Sequence, residues 1–120
     1  MPLISVCIPA YNRAGVLPAL LDSILNQDFD DFDIVIVEDF TPERPAIAVC
    51  VSEYQQRFGE KVKYYENPQT LGYDGNLRRL IELANSDYVL FMGNDDLLAS
   101  GALTAVARAV GERNNVGVVL

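Results

Sequence analysis

LISVCIPAYNRAGVLPALLDSILNQDFDDFDIVIVED, residues 3–39, is the stretch whose reading decides the fold. Its opening, residues 3–9, is a short apolar run rich in β-branched residues and closed by a proline, which reads as a fully buried strand of a parallel sheet. Over residues 14–26, Val16, Leu17, Leu20, Leu21, Ile24 and Leu25 recur at helical spacing and mark one apolar face, with Asn12 ahead of it as the natural cap. Residues 28–33 form an acidic stretch carrying Asp28, Asp30, Asp31 and Asp33, which reads as a solvated loop. Residues 34–37 then read as a second buried strand. Strand, helix and strand in so short a span make a βαβ unit, with parallel strands and a right-handed crossover.

The same alternation continues outward. Thr41-Pro42-Glu43 opens a second helix, with Thr41 at the cap and Pro42 in the first helical position. The helix runs to Phe58, where Gly59 stops it. Residues 62–65 are a third, shorter strand, and residues 67–75 a loop carrying Pro68, Gly72 and Gly75. Leu77, Leu80, Ile81 and Leu83 mark a third helix, and residues 88–92 a fourth buried strand ending at Gly93-Asn94-Asp95-Asp96. Ser100 stands as the cap of a fourth helix through about Glu112, and residues 116–120 begin another strand. The expected architecture is α/β, a three-layer αβα sandwich around a mostly parallel sheet, with residues 1–120 as one portion of a domain. Because the chain stops inside an apolar run, it reads as a piece of a longer protein.

Composition narrows the chemistry. The chain has 120 residues, nine Lys plus Arg against seventeen Asp plus Glu, a net charge of −8 and no His. The negative balance argues against a sequence-independent grip on DNA or RNA, which needs clustered cations. Without His there is no Ser-His-Asp chemistry and no His-based metal site, so carboxylates are left to carry any catalysis. Cys7 and Cys50 share no metal-site or CxxC spacing and read as small buried apolar residues, which fits a reducing cytoplasm. There is no signal-peptide pattern, and no stretch approaches the about 18 uninterrupted apolar residues of a membrane span. A cytoplasmic location is therefore expected.

In open α/β sheets, ligands bind outside the carboxyl ends of the strands, where strand order reverses. The first strand delivers Pro9, Ala10, Tyr11, Asn12 and Arg13 to that edge. The second delivers Glu38 and Asp39, the third leads to Asn67 and residues 72–76, and the fourth delivers Asn94, Asp95 and Asp96. Tyr11 is suited to stacking on a base and Arg13 to meeting a phosphate or a base edge. Asp95 and Asp96, adjacent carboxylates after a buried strand, suit Mg²⁺ or Mn²⁺ carried with substrate phosphates; equally, either could cap the following turn. Glu38 and Asp39 could accept hydrogen bonds from a base or ribose, or satisfy the backbone of residues 40–44. No GxGxxG and no Walker loop occurs.

In sequence order, SVCIPAYNR (residues 5–13), LDSILNQDF (21–29), IVIVED (34–39), NPQTLGYDGN (67–76) and ANSDYVLFMGNDD (84–96) together resemble the family 2 glycosyltransferases of GT-A fold. The resemblance spans essentially the whole chain. It implies a Rossmann-like nucleotide-binding half and a glycosyltransferase that takes a nucleotide-diphosphate sugar, by default a UDP-sugar, and transfers the sugar to a saccharide or lipid-linked hydroxyl. It further implies that Pro9, Ala10, Tyr11 and Asp39 hold the nucleobase, with Tyr11 against its face, and that Glu38 stands where many members have Asp. Asn76 would lie near the sugar-phosphate and Asp95 near the ribose or donor sugar. Asp96 would bind the Mn²⁺ or Mg²⁺ bridging the diphosphate. Asn94 stands at the first acid of the family's DxD-type motif, and Asp74-Gly75 where a basic residue often precedes the Asn. The acceptor site and the general base are expected beyond Leu120, which leaves a nucleotide-binding fragment without turnover as the alternative. A receiver-type signalling domain would need an acidic pair after the first strand and a late Lys, neither of which this chain has.

Overall fold

The computed structural model describes residues 2–93, 96–112 and 118–119. Its strands are β1 (Ile4–Ala10), β2 (Phe32–Glu38), β3 (Val62–Glu66), β4 (Tyr88–Phe91) and β5 (Val118–Val119). They form one sheet in the order β3-β2-β1-β4-β5. Every pairing is parallel, and β1 lies at the centre, with Ile4 level with Phe32 on one side and with Tyr88 on the other. The crossovers run through α1 (Leu17–Leu25), α2 (Arg44–Phe58), α3 (Gly72–Leu83) and α4 (Ala102–Glu112), with a 3-10 turn, Gly59–Lys61, after α2.

Period-two alternation divides the strands between two cores. Ile4, Val6, Ile8 and Ala10 of β1 and Phe32, Ile34 and Ile36 of β2 pack with Leu17, Leu20, Leu21 and Ile24 of α1, Ile47 and Val51 of α2, and Leu103 of α4. On the other face Cys7, Val35, Val37 and Val89 pack with Leu80 of α3, flanked by Leu77 and Leu83. Each such leucine or isoleucine contributes about 1.5–3 kcal/mol by leaving water. The result is the expected three-layer α/β sandwich. Cys7 is fully buried, and burial together with the nearby Asp33 pushes its thiol up to about 12; Cys50 is only half-buried, at the margin of the larger core.

Five local expectations are corrected. First, Asn12 does not cap α1: the helix begins at Leu17, with Val16 at the cap position. Asn12 and Arg13 instead adopt left-handed backbone, with φ of 56° and 58°, and Glu43 holds this loop by accepting from the Arg13 and Ala14 amides at 3.0 Å each.

Second, α2 starts at Arg44, so its first-turn proline is Pro45 rather than Pro42. Glu43 rather than Thr41 stands at the cap position, and the Thr41 hydroxyl donates to Glu38 at 2.7 Å. Third, α3 begins at Gly72, so both Gly72 and Gly75 lie in the helix rather than in the preceding loop. Fourth, β2 includes Asp33, which is 3% exposed and accepts from the Ser5 hydroxyl at 2.6 Å and from Lys63 at 2.5 Å. Only Asp28, Asp30 and Asp31 of that acidic stretch are solvated. Fifth, the fourth helix opens after Gly101, whose carbonyl accepts from Ala105 at 3.0 Å, one residue later than a cap at Ser100 requires. No helix among the described residues is long and apolar enough to cross a membrane.

Candidate functional site

At the carboxyl end of β2 the two acidic neighbours part. Glu38 falls on the face of Ile34 and Ile36 and is fully buried. Its Oε1 accepts from the Phe40 amide at 2.9 Å and from Arg44 Nε at 2.5 Å; its Oε2 accepts from the amide and the hydroxyl of Thr41 at 2.7 Å each. Burial alone would raise this carboxyl, but the bonds from Thr41, Arg44 and Phe40 outweigh it and hold the group below its ordinary value. Both oxygens are therefore committed inside the protein. Glu38 shapes the turn in which Phe40 takes a left-handed φ of 60° beneath the Arg44 guanidinium, 4.8 Å from the ring centroid.

Asp39 falls on the opposite face. Its amide donates to the Ala10 carbonyl at 3.0 Å, tying the end of β2 to the end of β1. Its carboxylate caps α3 from a distance: Oδ1 accepts from the Leu71 amide at 2.8 Å and Oδ2 from the Gly72 amide at 3.0 Å. These are orphan donors of a helix start, and an anion there also meets the favourable end of the helix dipole. Oδ1 takes a further bond from Asn67 Nδ2 at 2.8 Å.

Asn67 is the hub beneath this carboxylate. Fully buried, it also donates from Nδ2 to Asn76 Oδ1 at 2.9 Å, while Asn76 Nδ2 donates to the Val37 carbonyl at 3.1 Å. Asn67 Oδ1 is buried with no hydrogen-bond partner among the described residues. The amide is nevertheless held in this orientation, since the flipped one would set its oxygen against two acceptors. Asn76 is thus buried with both of its polar atoms engaged, bracing α3 against β2.

Above this network lies a cavity of about 320 Å³, lined by Pro9, Tyr11, Asp39, Thr70, Gly72, Tyr73 and Asn76. It sits at the lower end of the range for small-molecule sites. Its walls are apolar, with polar groups gathered at the floor. Four residues singled out in the sequence, Pro9, Tyr11, Asp39 and Asn76, meet here. Ala10 does not line it: its side chain is in the core, and it contributes only the carbonyl that Asp39 binds. Arg13 is exposed on the loop beside β1 and is not part of the lining.

Asp96 follows β4, on the other side of β1. It is exposed, and its Oδ2 accepts from the Gly93 amide at 3.1 Å. Asp95 and Asn94 lie outside the described residues. Among the described residues no group of three or more acidic or cysteine side chains gathers to hold a metal ion. One exposed carboxylate cannot cage a cation by itself, but it fits one that arrives with phosphate oxygens and keeps its waters.

Thr70 and Glu43 were not singled out from the sequence as site residues, whereas Asn67 and residues 72–76, which include Tyr73, were placed at the ligand edge without a role for Asn67 or Tyr73. Asn67 had a visible signal in its place at the end of a strand. Tyr73 lay in a stretch read as loop, and Glu43 acts on residues 30 positions away.

A family model described as glycosyl transferase family 2 matches residues 5–120. The chain is 32% identical over 113 residues to a GalNAc(5)-diNAcBac-PP-undecaprenol beta-1,3-glucosyltransferase of Campylobacter jejuni, covering 93% of this chain and 36% of that protein. It is 36% identical over 101 residues to the abequosyltransferase RfbV of Salmonella typhimurium, covering 84% of this chain and 30% of the relative. Among solved structures it superposes on S. aureus TarS 1-349 in complex with UDP with a TM-score of 0.82 and 25% identity, over 93% of this chain and 33% of the other. The fold is also that of the mannosyltransferase PcManGT from Pyrobaculum calidifontis, solved with GDP-Man and Mn²⁺, with a TM-score of 0.82 at 20% identity over 91% of this chain and 32% of the other. The chain spans about a third of the length of these relatives. With the family match running over nearly all of a parallel sheet in which the ends of β1 and β2 open on a cavity, the chain belongs to glycosyl transferase family 2.

Proposed function

We propose that this chain is the donor-binding portion of a glycosyltransferase that takes a nucleotide-diphosphate sugar, by default a UDP-sugar, and passes the sugar to a saccharide or lipid-linked hydroxyl. The observation that carries the reading is the cavity at the carboxyl ends of β1 and β2, where Pro9 and Tyr11 meet the Asp39 carboxylate. The UDP complex of TarS supports uridine as the base to try first.

In this reading the base lies against Tyr11 and donates an N–H to Asp39 Oδ2, which among the described residues otherwise takes only the Gly72 amide. Asn76, with both polar atoms engaged, braces the start of α3 near the sugar-phosphate. Glu38 and Ala10 act by shaping the strand ends, and Arg13, on the loop after β1, would meet a phosphate or a base edge. The diphosphate extends past β1 toward Asp96. There Asp96, with Asp95 beside it in sequence, would hold a Mn²⁺ or Mg²⁺. When bound, that ion would neutralise the charge growing on the departing nucleoside diphosphate. The general base and the acceptor site fall to residues outside this chain.

Titration calorimetry with UDP and with GDP, each with and without Mn²⁺, tests the proposal. Metal-dependent binding of a nucleoside diphosphate is expected. Asp96→Asn should remove most of the metal-dependent gain while leaving the metal-independent part. No binding of either nucleotide in either condition sinks the reading, and an unchanged metal effect in Asp96→Asn removes the metal from that residue.

A further inference from the structure

We propose that Tyr73 is the second wall of the base pocket, so that Tyr11 and Tyr73 clasp the nucleobase between two rings above Asp39. The inference rests on the nucleotide reading given above and adds a residue to it. Both tyrosines line the cavity, and both are left largely bare: Tyr11 is 54% exposed and Tyr73 71% exposed. They come from different elements, Tyr11 from the end of β1 and Tyr73 from the first turn of α3.

Tyr73 is displayed on a start that is held firmly. Gly72, with a left-handed φ of 82°, lets the backbone turn into the helix immediately before it. Asp39 grips the amides of Leu71 and Gly72, and the Thr70 hydroxyl donates to the Phe40 carbonyl at 3.1 Å, so the approach to Tyr73 is pinned to the end of β2. A backbone fixed this way loses little freedom when a flat partner slides against the ring it carries. An exposed aromatic on the rim of an apolar cavity with a polar floor is what a planar heterocycle with one N–H donor requires: faces to stack on and an acceptor at the edge. The same carboxylate that reads the edge of the base also sets the helix that carries the second ring.

The test uses the 120-residue chain, with UDP plus Mn²⁺ as one probe and inorganic pyrophosphate plus Mn²⁺, which has no base, as the other. Tyr73→Ala should weaken UDP by roughly tenfold, the scale of one lost stacking contact. It should leave pyrophosphate unchanged, and Tyr73→Phe should bind UDP like the parent. The chain has no Trp, so Tyr73→Trp introduces a single reporter; UDP should quench its emission and pyrophosphate should not. If Tyr73→Ala binds UDP as tightly as the parent while Tyr11→Ala loses affinity, the second wall is wrong and the nucleotide reading stands. If Tyr73→Ala weakens both probes alike, the ring acts only through the fold of α3 and the clasp is refuted. If the parent binds neither UDP nor GDP, the nucleotide reading falls and the clasp with it.

Discussion

Burial and hydrogen bonding pull the Glu38 carboxyl in opposite directions, and the donors of Thr41, Arg44 and Phe40 win. The folded-state value therefore lies below the ordinary 4.5. Between the two values the unfolded chain carries a proton that the folded chain does not. The stabilisation is fully present above about 4.5 and is lost as the pH falls through the folded value. Glu38→Gln should cost about 1–3 kcal/mol at neutral pH, through donors left facing a weaker acceptor. The gap from the parent should narrow on acidification, and urea unfolding midpoints at pH 7 and pH 4 check both parts. A gap that widens in acid would mean that burial outweighs the donors and raises the folded-state value instead. The different fates of Glu38 and Asp39 were in part legible: strand alternation sends Glu38 with Ile34 and Ile36, and Asp39 with Val35 and Val37. The distant donors that each acid meets were not. Leu71 and Gly72 lie more than thirty positions beyond Asp39, and no local pattern marks such a pairing.

Helix α3 shows the same division one level up. Its apolar residues Leu77, Leu80 and Leu83 were visible by spacing, yet its first turn, residues 72–76, read as loop because it carries two glycines. Intrinsic propensity disfavours Gly by about 1 kcal/mol each, and the carboxylate of Asp39 offsets that by binding the first amides. Gly75 also has a steric reason to be there: a Cβ at this position would stand 2.9 Å from Leu71 Cβ. By propensity Gly75→Ala should stabilise the helix. The contact reverses the sign, because Leu71 must move and its amide is one of those Asp39 holds. The expected outcome is a lower thermal midpoint than the parent, by a few degrees for a loss of about 1 kcal/mol. A midpoint that rises would mean that Leu71 shifts without loosening its bond to Asp39. Helix α2 is a milder case. Its end at Gly59 was legible, but its start moved from Pro42 to Arg44 because Thr41 is drawn to Glu38 and not to the helix.

Across the whole molecule, alternating buried runs and amphipathic stretches were enough to give the layers and the parallel strands, and the strand ends located the cavity. What alternation could not supply was strand order, which depends on pairings between distant segments. Here β1 pairs with β2 at a separation of 28 residues, Ile4 with Phe32, and with β4 at 84, Ile4 with Tyr88. Tripling the span adds only about 1 kcal/mol of closure entropy, but it imposes an order of assembly. The β1–α1–β2 unit can close as soon as residues 1–39 are free to move, whereas the other edge of β1 stays open until residue 88 and beyond arrive. During that interval the centre of the finished sheet is an outer strand, apolar but for Ser5 and carrying unpaired amides and carbonyls. Such an edge invites another copy to add to it. Refolding yield on dilution from urea is therefore expected to fall as chain concentration rises, while the rate of forming the native state stays independent of it. A yield that holds constant across concentrations would show that β4 docks before the open edge of β1 can be found. The strand that brings Tyr11 to the cavity in the finished protein is thus also a vulnerable surface on the way there.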